Sequence, residues 1–254
     1  MSYGICILSI VPCRAEGNDR SEMVTQLLFG EIYEVIEEEE KWIKIKTALD
    51  DYECWICRKQ FFEISSEEYE NYKLNDFPKC VELVSSVKNL KEEITNITIG
   101  SSLPFYGKGR FNIRNENFAY SGTINEVDSK NIIRYAMLYL NTPYLWGGRS
   151  PFGIDCSGFS QIVYSLCGYK IPRDAYQQAE EGFNVEFVEL TEKGDLAFFD
   201  NEDGKITHVG IVTDPGKIIH ASGKVRVDSL DQQGIFDSDL GKYTHKLRII
   251  KRLF

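Results

Sequence analysis

The chain has 254 residues, 43% of them hydrophobic, and its 29 Lys and Arg against 39 Asp and Glu give a formal charge of −10. That length holds one large or two to three small domains, each with its own core. The acidic balance excludes nucleic acid and anionic membrane surfaces as partners, because phosphate binding needs clustered Lys and Arg, and no stretch reaches the roughly 20 apolar residues of a membrane span. The first apolar run, residues 3–13, has no Lys or Arg ahead of it and lacks the leucine-rich pattern of a cleavable leader, so it reads as a strand. A cytoplasmic protein is the expectation, with an exported form if a leader was removed. The seven cysteines, at 6, 13, 54, 57, 80, 156 and 167, are odd in number and scattered, which fits a reducing compartment rather than a disulfide scaffold. Cys54-Trp-Ile-Cys57 has C-x-x-C spacing but lies in a strand-like run with no second ligand pair, so core packing accounts for it better than zinc.

In chain order, residues 1–63 read as short strands at 5–11, 31–37, 42–46 and 53–57, bounded by polar turns such as Glu16-Gly-Asn-Asp19, and imply a small barrel. The acidic run at 37–40 is a solvated hairpin tip. The run from Ser21 to Glu31, then Tyr33-Glu-Val-Ile36, Trp42-Ile-Lys-Ile45 and Tyr52-Glu-Cys-Trp-Ile56, resembles bacterial SH3-like domains, although aspartate at 51 and cysteine at 54 stand where glycine is usual. Ser65-Ser-Glu-Glu68 places a serine cap ahead of acidic first-turn residues, which starts a helix in a linker over 64–78. Residues 79–124 return to short strands at 81–85, 94–99, 103–106, 111–115 and 118–120, punctuated by Gly100, Gly107, Gly109 and Gly122. This pattern resembles a second, smaller SH3-like barrel.

The last segment, 125–254, opens with an amphipathic helix over 128–140, capped by Asp128 or Ser129, with Ile132, Tyr135, Ala136, Tyr139 and Leu140 on its buried side. A loop with Gly147, Gly148, Pro151 and Gly153 then yields at Asp155-Cys156 to Phe159, Ile162, Val163 and Leu166, spaced as one helix face, and Gly168 closes that helix. Cys156 therefore begins a helix, where free N–H groups and the macrodipole favour a thiolate. A short helix follows over 173–181, then strands at 195–200, 207–212, 218–221, 224–228 and 246–252, the last reading as an edge. Segregated helices and antiparallel strands make this segment α+β. His208 and His220 sit on two strands joined by the turn Asp214-Pro-Gly216, and a hairpin brings both imidazoles together. A cysteine nucleophile needs a base and the base needs a third group to fix its tautomer, roles that Cys156, His208 and His220 fill in order. His245 has no motif around it and reads as a surface residue. The histidines lack the spacing of a metal site, so neither metal nor other cofactor is expected.

Pro143-Tyr-Leu-Trp-Gly-Gly148, Asp155-Cys-Ser-Gly-Phe159, Gly194-Asp-Leu-Ala-Phe-Phe199, His208-Val-Gly-Ile211 and Ile219-His-Ala221 together resemble the NlpC family of bacterial cell-wall cysteine peptidases. The resemblance implies a papain-like catalytic domain over 125–254, preceded by the SH3-like barrels, with Cys156 as nucleophile, His208 as base and His220 as orienting residue. It also implies substrate contacts from Tyr144, Trp146, Asp155 and Ser157, while the backbone N–H of Cys156 is available to an oxyanion. Arg14-Ala-Glu16 and Gln26-Leu-Leu-Phe-Gly-Glu31 look like those of the γ-D-glutamyl-L-diamino acid endopeptidases, also called dipeptidyl-peptidase VI. For that subgroup the implied substrate is a peptidoglycan-derived L-Ala-γ-D-Glu-diamino acid peptide with a free amine, taken up by Glu31 and Tyr52, and the implied state is a monomer. Two other readings stay open: an amidase or acyltransferase using the same Cys-His-His site, and a wall-binding protein with an inactive catalytic domain.

Overall fold

A computed structural model describes residues 2–254. They divide into two compact units, 2–125 with 147–151 and 126–146 with 152–254.

In the first unit, β1 (Tyr3–Ile5), β2 (Ile10–Arg14), β3 (Met23–Leu28), β4 (Ile32–Glu38), β5 (Trp42–Thr47), β6 (Glu53–Cys57) and β7 (Glu63–Ile64) form an antiparallel sheet in the order β3-β2-β6-β5-β4-β1-β7. Strict alternation places Ile43, Ile45 and Thr47 inward while Trp42, Lys44 and Lys46 face outward. The apolar run 5–11, expected as one strand, is two: Cys6 exchanges backbone hydrogen bonds with Gly30 and Glu31, and the chain resumes at Ile10 between β3 and β6. Cys13 and Cys54 fill the core beside Val11, Leu27, Ile43 and Ile56, and all seven thiols are free.

The helix α1 (Ser66–Lys73) carries a full capping box, in which Ser65 Oγ accepts from the Glu68 N–H and Glu68 accepts from the Ser65 N–H. Beyond it, β8 (Val84–Asn89), β9 (Ile94–Thr98), β10 (Arg110–Ile113) and β11 (Glu116–Ala119) make a four-stranded sheet ordered β10-β11-β8-β9. Residues 103–106, expected as a strand, form a turn, because Pro104 lacks a donor and Phe105 takes φ 56°. A single core joins Ile5, Phe29 and Ile64 to Tyr69 and Tyr72 of α1 and to Val87, Phe111 and Phe118. The segment 1–63 thus keeps a core of its own around Cys13, Ile43 and Cys54, and a second core joins it to 79–124.

Glu31 follows Gly30, whose φ of +83° and lack of a Cβ let the backbone pass close to the Ser102 carbonyl. Its carboxylate is bound through both oxygens by Arg149, at 2.8 and 2.9 Å, and also accepts from the Leu28 N–H. Arg149, in the short strand β12 (Arg149–Ser150), donates a further bond to the Gln26 carbonyl. The charge expected to meet a substrate amine is therefore already matched by a guanidinium whose side chain is 4% exposed. Glu31→Gln leaves that cation without its counter-charge and should lower unfolding stability by about 3–5 kcal/mol. A urea transition with an unchanged midpoint would contradict this. The ring of Tyr52 packs, half-buried, on the core of the first sheet, and its N–H donates to Thr47 Oγ1.

In the second unit the helix expected over 128–140 begins as a 3-10 turn (Ser129–Asn131) under Asp128 and continues as α2 (Ile132–Leu138). Next come β13 (Gly153–Ile154), α3 (Cys156–Leu166), α4 (Ala175–Gln178) and β14 (Phe183–Val185). The remaining strands are β15 (Leu196–Asp200), β16 (Ile206–Asp214), β17 (Lys217–Ser222), β18 (Lys224–Asp231), β19 (Gly234–Asp237) and β20 (Lys242–Arg252), in the order β14-β20-β15-β16-β17-β18-β19. The last strand is not the edge it was expected to be. Its first half pairs with β19 and its second with β15, Lys246 lying opposite both Gly234 and Asp200, so β15 to β20 close on themselves. Register shifts at Phe198/Phe199 and Ile235/Phe236 supply the bend. Every residue of α3 is buried, and the helix packs on α2, β16 and β17. Gly168, at φ +89°, ends it in a Schellman arrangement: the Gly168 N–H donates to Ser165 and the Tyr169 N–H to Tyr164.

Candidate active site

Asp155 is the N-cap of α3, with extended backbone and Oδ1 accepting from the Gly158 N–H at 2.7 Å. Cys156 is consequently the first helical residue. Asp155 is itself clamped by Arg173, whose NH1 and NH2 reach its two oxygens at 3.0 and 2.5 Å, and the same guanidinium donates to Ser157 Oγ at 2.9 Å. Gln178 from α4 donates to the Ser157 carbonyl and accepts from Ser160. The start of the helix is thus fixed by a buried polar network, and Asp155 and Ser157 hold one another's partners as well as flanking the sulfur. The helix expected to start at Arg173 starts at Ala175, which leaves Arg173 outside it and free to turn inward.

The sulfur of Cys156 lies against β16, the strand that carries His208. It is 4.0 Å from the Thr207 carbonyl, and the Val209 and Ser157 backbone N–H groups donate toward it. Burial, followed by the nearby Asp155, pushes this thiol up to about 12; the two N–H groups and Arg173 act in the opposite direction and do not prevail. The preference for a thiolate expected from the helix terminus is therefore overridden in the free protein, because the side chain is only 6% exposed.

Gly210 stands opposite His220 across β16 and β17, so His208 and His220 share one face on the diagonal. A Cβ at 210 would meet the Ile218 side chain at 2.7 Å and His220 Cβ at 2.9 Å, so this position has no room for a larger residue. His208 Nε2 and His220 Nδ1 are 2.8 Å apart. Continuing outward, His220 Nε2 is 2.9 Å from Asp228 Oδ2, and Arg226 contacts Asp228 through Nε at 2.7 Å and NH2 at 2.8 Å. Burial, then the neighbouring His245 and His220, hold His208 well below the ordinary imidazole range, so it is neutral near pH 7. Asp228 is pushed up by burial, but hydrogen bonds from His220 and Arg226 outweigh that and keep it below the usual carboxylate range.

His245, expected at the surface, is half-buried. It stacks on His208 with ring centroids 4.1 Å apart and planes at 26°, and burial and His220 lower it to about 4. The closure of β20 onto β19 and β15 brings it there. One nitrogen each from His208, His220 and His245 lie within 4.8 Å of one another. Nε2 of His208 and Nδ1 of His220 are engaged with each other.

Tyr144 is half-buried, and burial, followed by the charges of Cys156 and Asp155, pushes its phenol up to about 12. Trp146 is 60% exposed. Cys156, His208, His220, Tyr144, Asp155 and Ser157 therefore belong to one neighbourhood within the second unit. Glu31 and Tyr52 belong to the first. Sequence reasoning did not single out Asp228, Arg226 or Arg173. The signal for the first two was the register of β17 on β18, which sets Arg226 opposite His220 and Asp228 one inward-facing position further on.

Residues 141–242 match the profile of the NlpC/P60 family, and residues 13–61 match that of the bacterial dipeptidyl-peptidase Sh3 domain. Among curated proteins the chain is similar to a γ-D-glutamyl-L-lysine dipeptidyl-peptidase of Bacillus subtilis, 32% identical over 216 residues that cover 78% of this chain and 71% of the relative. It is also 28% identical to a dipeptidyl-peptidase 6 of Lysinibacillus sphaericus, over 90% of this chain and 92% of that one. Among solved structures, an NlpC/P60 family protein from Bacillus cereus superposes with a TM-score of 0.81 at 21% identity, covering 99% of both chains.

Proposed function

The chain belongs to the NlpC/P60 family and is a cysteine peptidase, and from that premise we propose that it releases a dipeptide from peptidoglycan stem peptides by cutting the γ-D-Glu–L-diamino acid bond with Cys156, His208 and His220. The observation that carries this reading is the hydrogen-bonded pair His208–His220, with His208 on the strand whose backbone also touches the Cys156 sulfur. Cys156 attacks the γ-carbonyl carbon while His208 takes the thiol proton; the same imidazolium then gives that proton to the departing α-amine of the diamino acid. Water, activated by the again neutral His208, hydrolyses the thioester and frees the cysteine. The Cys156 N–H at the start of α3 faces no intrahelical acceptor and suits the oxyanion. The helix packed on an antiparallel sheet, with the cysteine on one and the histidines on the other, supports a papain-like arrangement.

Similarity to dipeptidyl-peptidases in both the Sh3 segment and the peptidase segment supports a substrate with a free N-terminal L-alanine. The test is a digest of L-Ala-γ-D-Glu-L-Lys beside its N-acetyl form, read by mass spectrometry. The free peptide should release L-Ala-γ-D-Glu. Loss of a charge-assisted hydrogen bond to the ammonium should slow the acetylated peptide by roughly ten- to a hundredfold. Absence of the dipeptide product would overturn the proposed cleavage, and equal rates would overturn the requirement for a free amine.

A further inference from the structure

We propose that Asp228, held by Arg226, is a positioning residue of the proton-transfer system: it fixes the tautomers of both histidines in series, so that the base presents an unprotonated nitrogen to the cysteine. This rests on the assignment of His208 as base. The inference starts from donor and acceptor bookkeeping along four buried or half-buried groups. An ionised carboxylate only accepts, so the 2.9 Å contact to Asp228 Oδ2 requires a proton on His220 Nε2. With that proton on Nε2, His220 Nδ1 is the nitrogen placed to accept from His208 Nε2–H across 2.8 Å. The neutral His208 is left with a bare Nδ1, the only lone pair on that ring. Each tautomer is dictated by the group beyond it, and the series ends at the one group that cannot switch roles.

Arg226 keeps it from switching. Its guanidinium contacts both oxygens of Asp228 and also reaches Asp237 and Asp239 at 3.0 and 3.1 Å, so it is fixed from three sides. Oδ2 of Asp228 therefore meets two donors, His220 Nε2 and Arg226 Nε. The other titratable groups facing this series are Cys156 from α3, His245 from β20 stacked on His208, Asp237 from β19 and Asp239 ahead of β20, while β15 offers the Phe199 ring. When His208 becomes an imidazolium, Asp228 is the anion to which its charge is linked through His220.

Two substitutions separate tautomer from charge. Asp228→Ala leaves His220 without its acceptor, and kcat/KM on the free tripeptide should fall by about 10²–10³-fold with KM little changed, since a wrong tautomer at the base removes general-base catalysis. In Asp228→Asn the carbonyl oxygen will face the two donors at Oδ2, which keeps the tautomers but deletes the charge. That variant should lose only about tenfold, and the acid limb of kcat/KM should move about half to one unit toward lower pH, as an imidazolium without a linked anion gives up its proton more readily.

Histidine side-chain nitrogen NMR reads the tautomers without any substrate, so it holds even if the cleaved bond is not the one proposed. The wild-type protein should show Nε2–H on both His208 and His220, and Asp228→Ala should populate Nδ1–H on His220. An Nδ1–H tautomer at His220 in the wild type, identical tautomers in Asp228→Ala, activity of that variant within about threefold of wild type, or an unmoved acid limb in Asp228→Asn would each overturn the proposal.

Discussion

Replacing Cys156 by alanine should abolish turnover, with kcat falling about a millionfold, the scale on which removal of a nucleophile from an interdependent triad acts. The expectation follows from the place of the sulfur: it begins α3 and lies against the strand that carries His208. The fold should survive, because the side chain is small and the helix start is fixed by Asp155 and Arg173 and does not depend on the sulfur. An unchanged urea transition together with residual activity within about tenfold of wild type would eliminate Cys156 as nucleophile. Alkylation gives a second reading. Because burial holds the thiol up near 12, iodoacetamide should label Cys156 about tenfold faster for each unit between about pH 6 and 9, without a plateau in acid. Cys57 is more exposed than Cys156 and would compete, so the experiment belongs in a Cys57→Ser background.

What could be read from the sequence is what local chemistry decides. The start of α3 was legible because a glycine- and proline-rich loop gives way to a capping aspartate and an apolar face, and its end because only a left-handed glycine suits position 168. The hairpin that pairs His208 with His220 was legible for the same reason, from two β-branched runs around Asp214-Pro-Gly216. Long-range pairing was not. Alternating residues in 246–252 look the same on an edge as in a closed sheet; pairing of residues 250–252 with β14 and of residues 242–246 with β19 removes the edge, and the second carries His245 onto His208. The thiol's protonation was misjudged because a helix terminus is visible in sequence and burial is not. The core that joins the segments 1–63 and 79–124 was not legible because turn punctuation is local, whereas the packing of Phe29 on Phe111 and Phe118 joins residues more than eighty apart.

His208→Ala should cost nearly as much as loss of the cysteine, about 10⁵–10⁶-fold in kcat, whereas His220→Ala should cost about 10²–10⁴-fold. The difference comes from what each ring touches. His208 is on the strand whose neighbouring residues contact the Cys156 sulfur, and it is the group that must both accept and return a proton. His220 touches His208 on one side and Asp228 on the other; it moves no proton to substrate, and without it a rotated His208 can still take the productive tautomer part of the time. Because a triad acts as a unit, the double variant His208→Ala with Cys156→Ala should be scarcely worse than either alone. The acid limb adds a sign. His208 is held well below the usual imidazole range by burial and its two histidine neighbours, so it stays neutral and competent as pH falls through 6.5, and kcat/KM should decline only at lower pH. Removing His245, which contributes to that depression, should move the decline to higher pH. If His220→Ala were as damaging as Cys156→Ala while His208→Ala left activity within about tenfold of wild type, base and orienting residue would have to exchange places, and the series ending in Asp228 would run in the opposite sense.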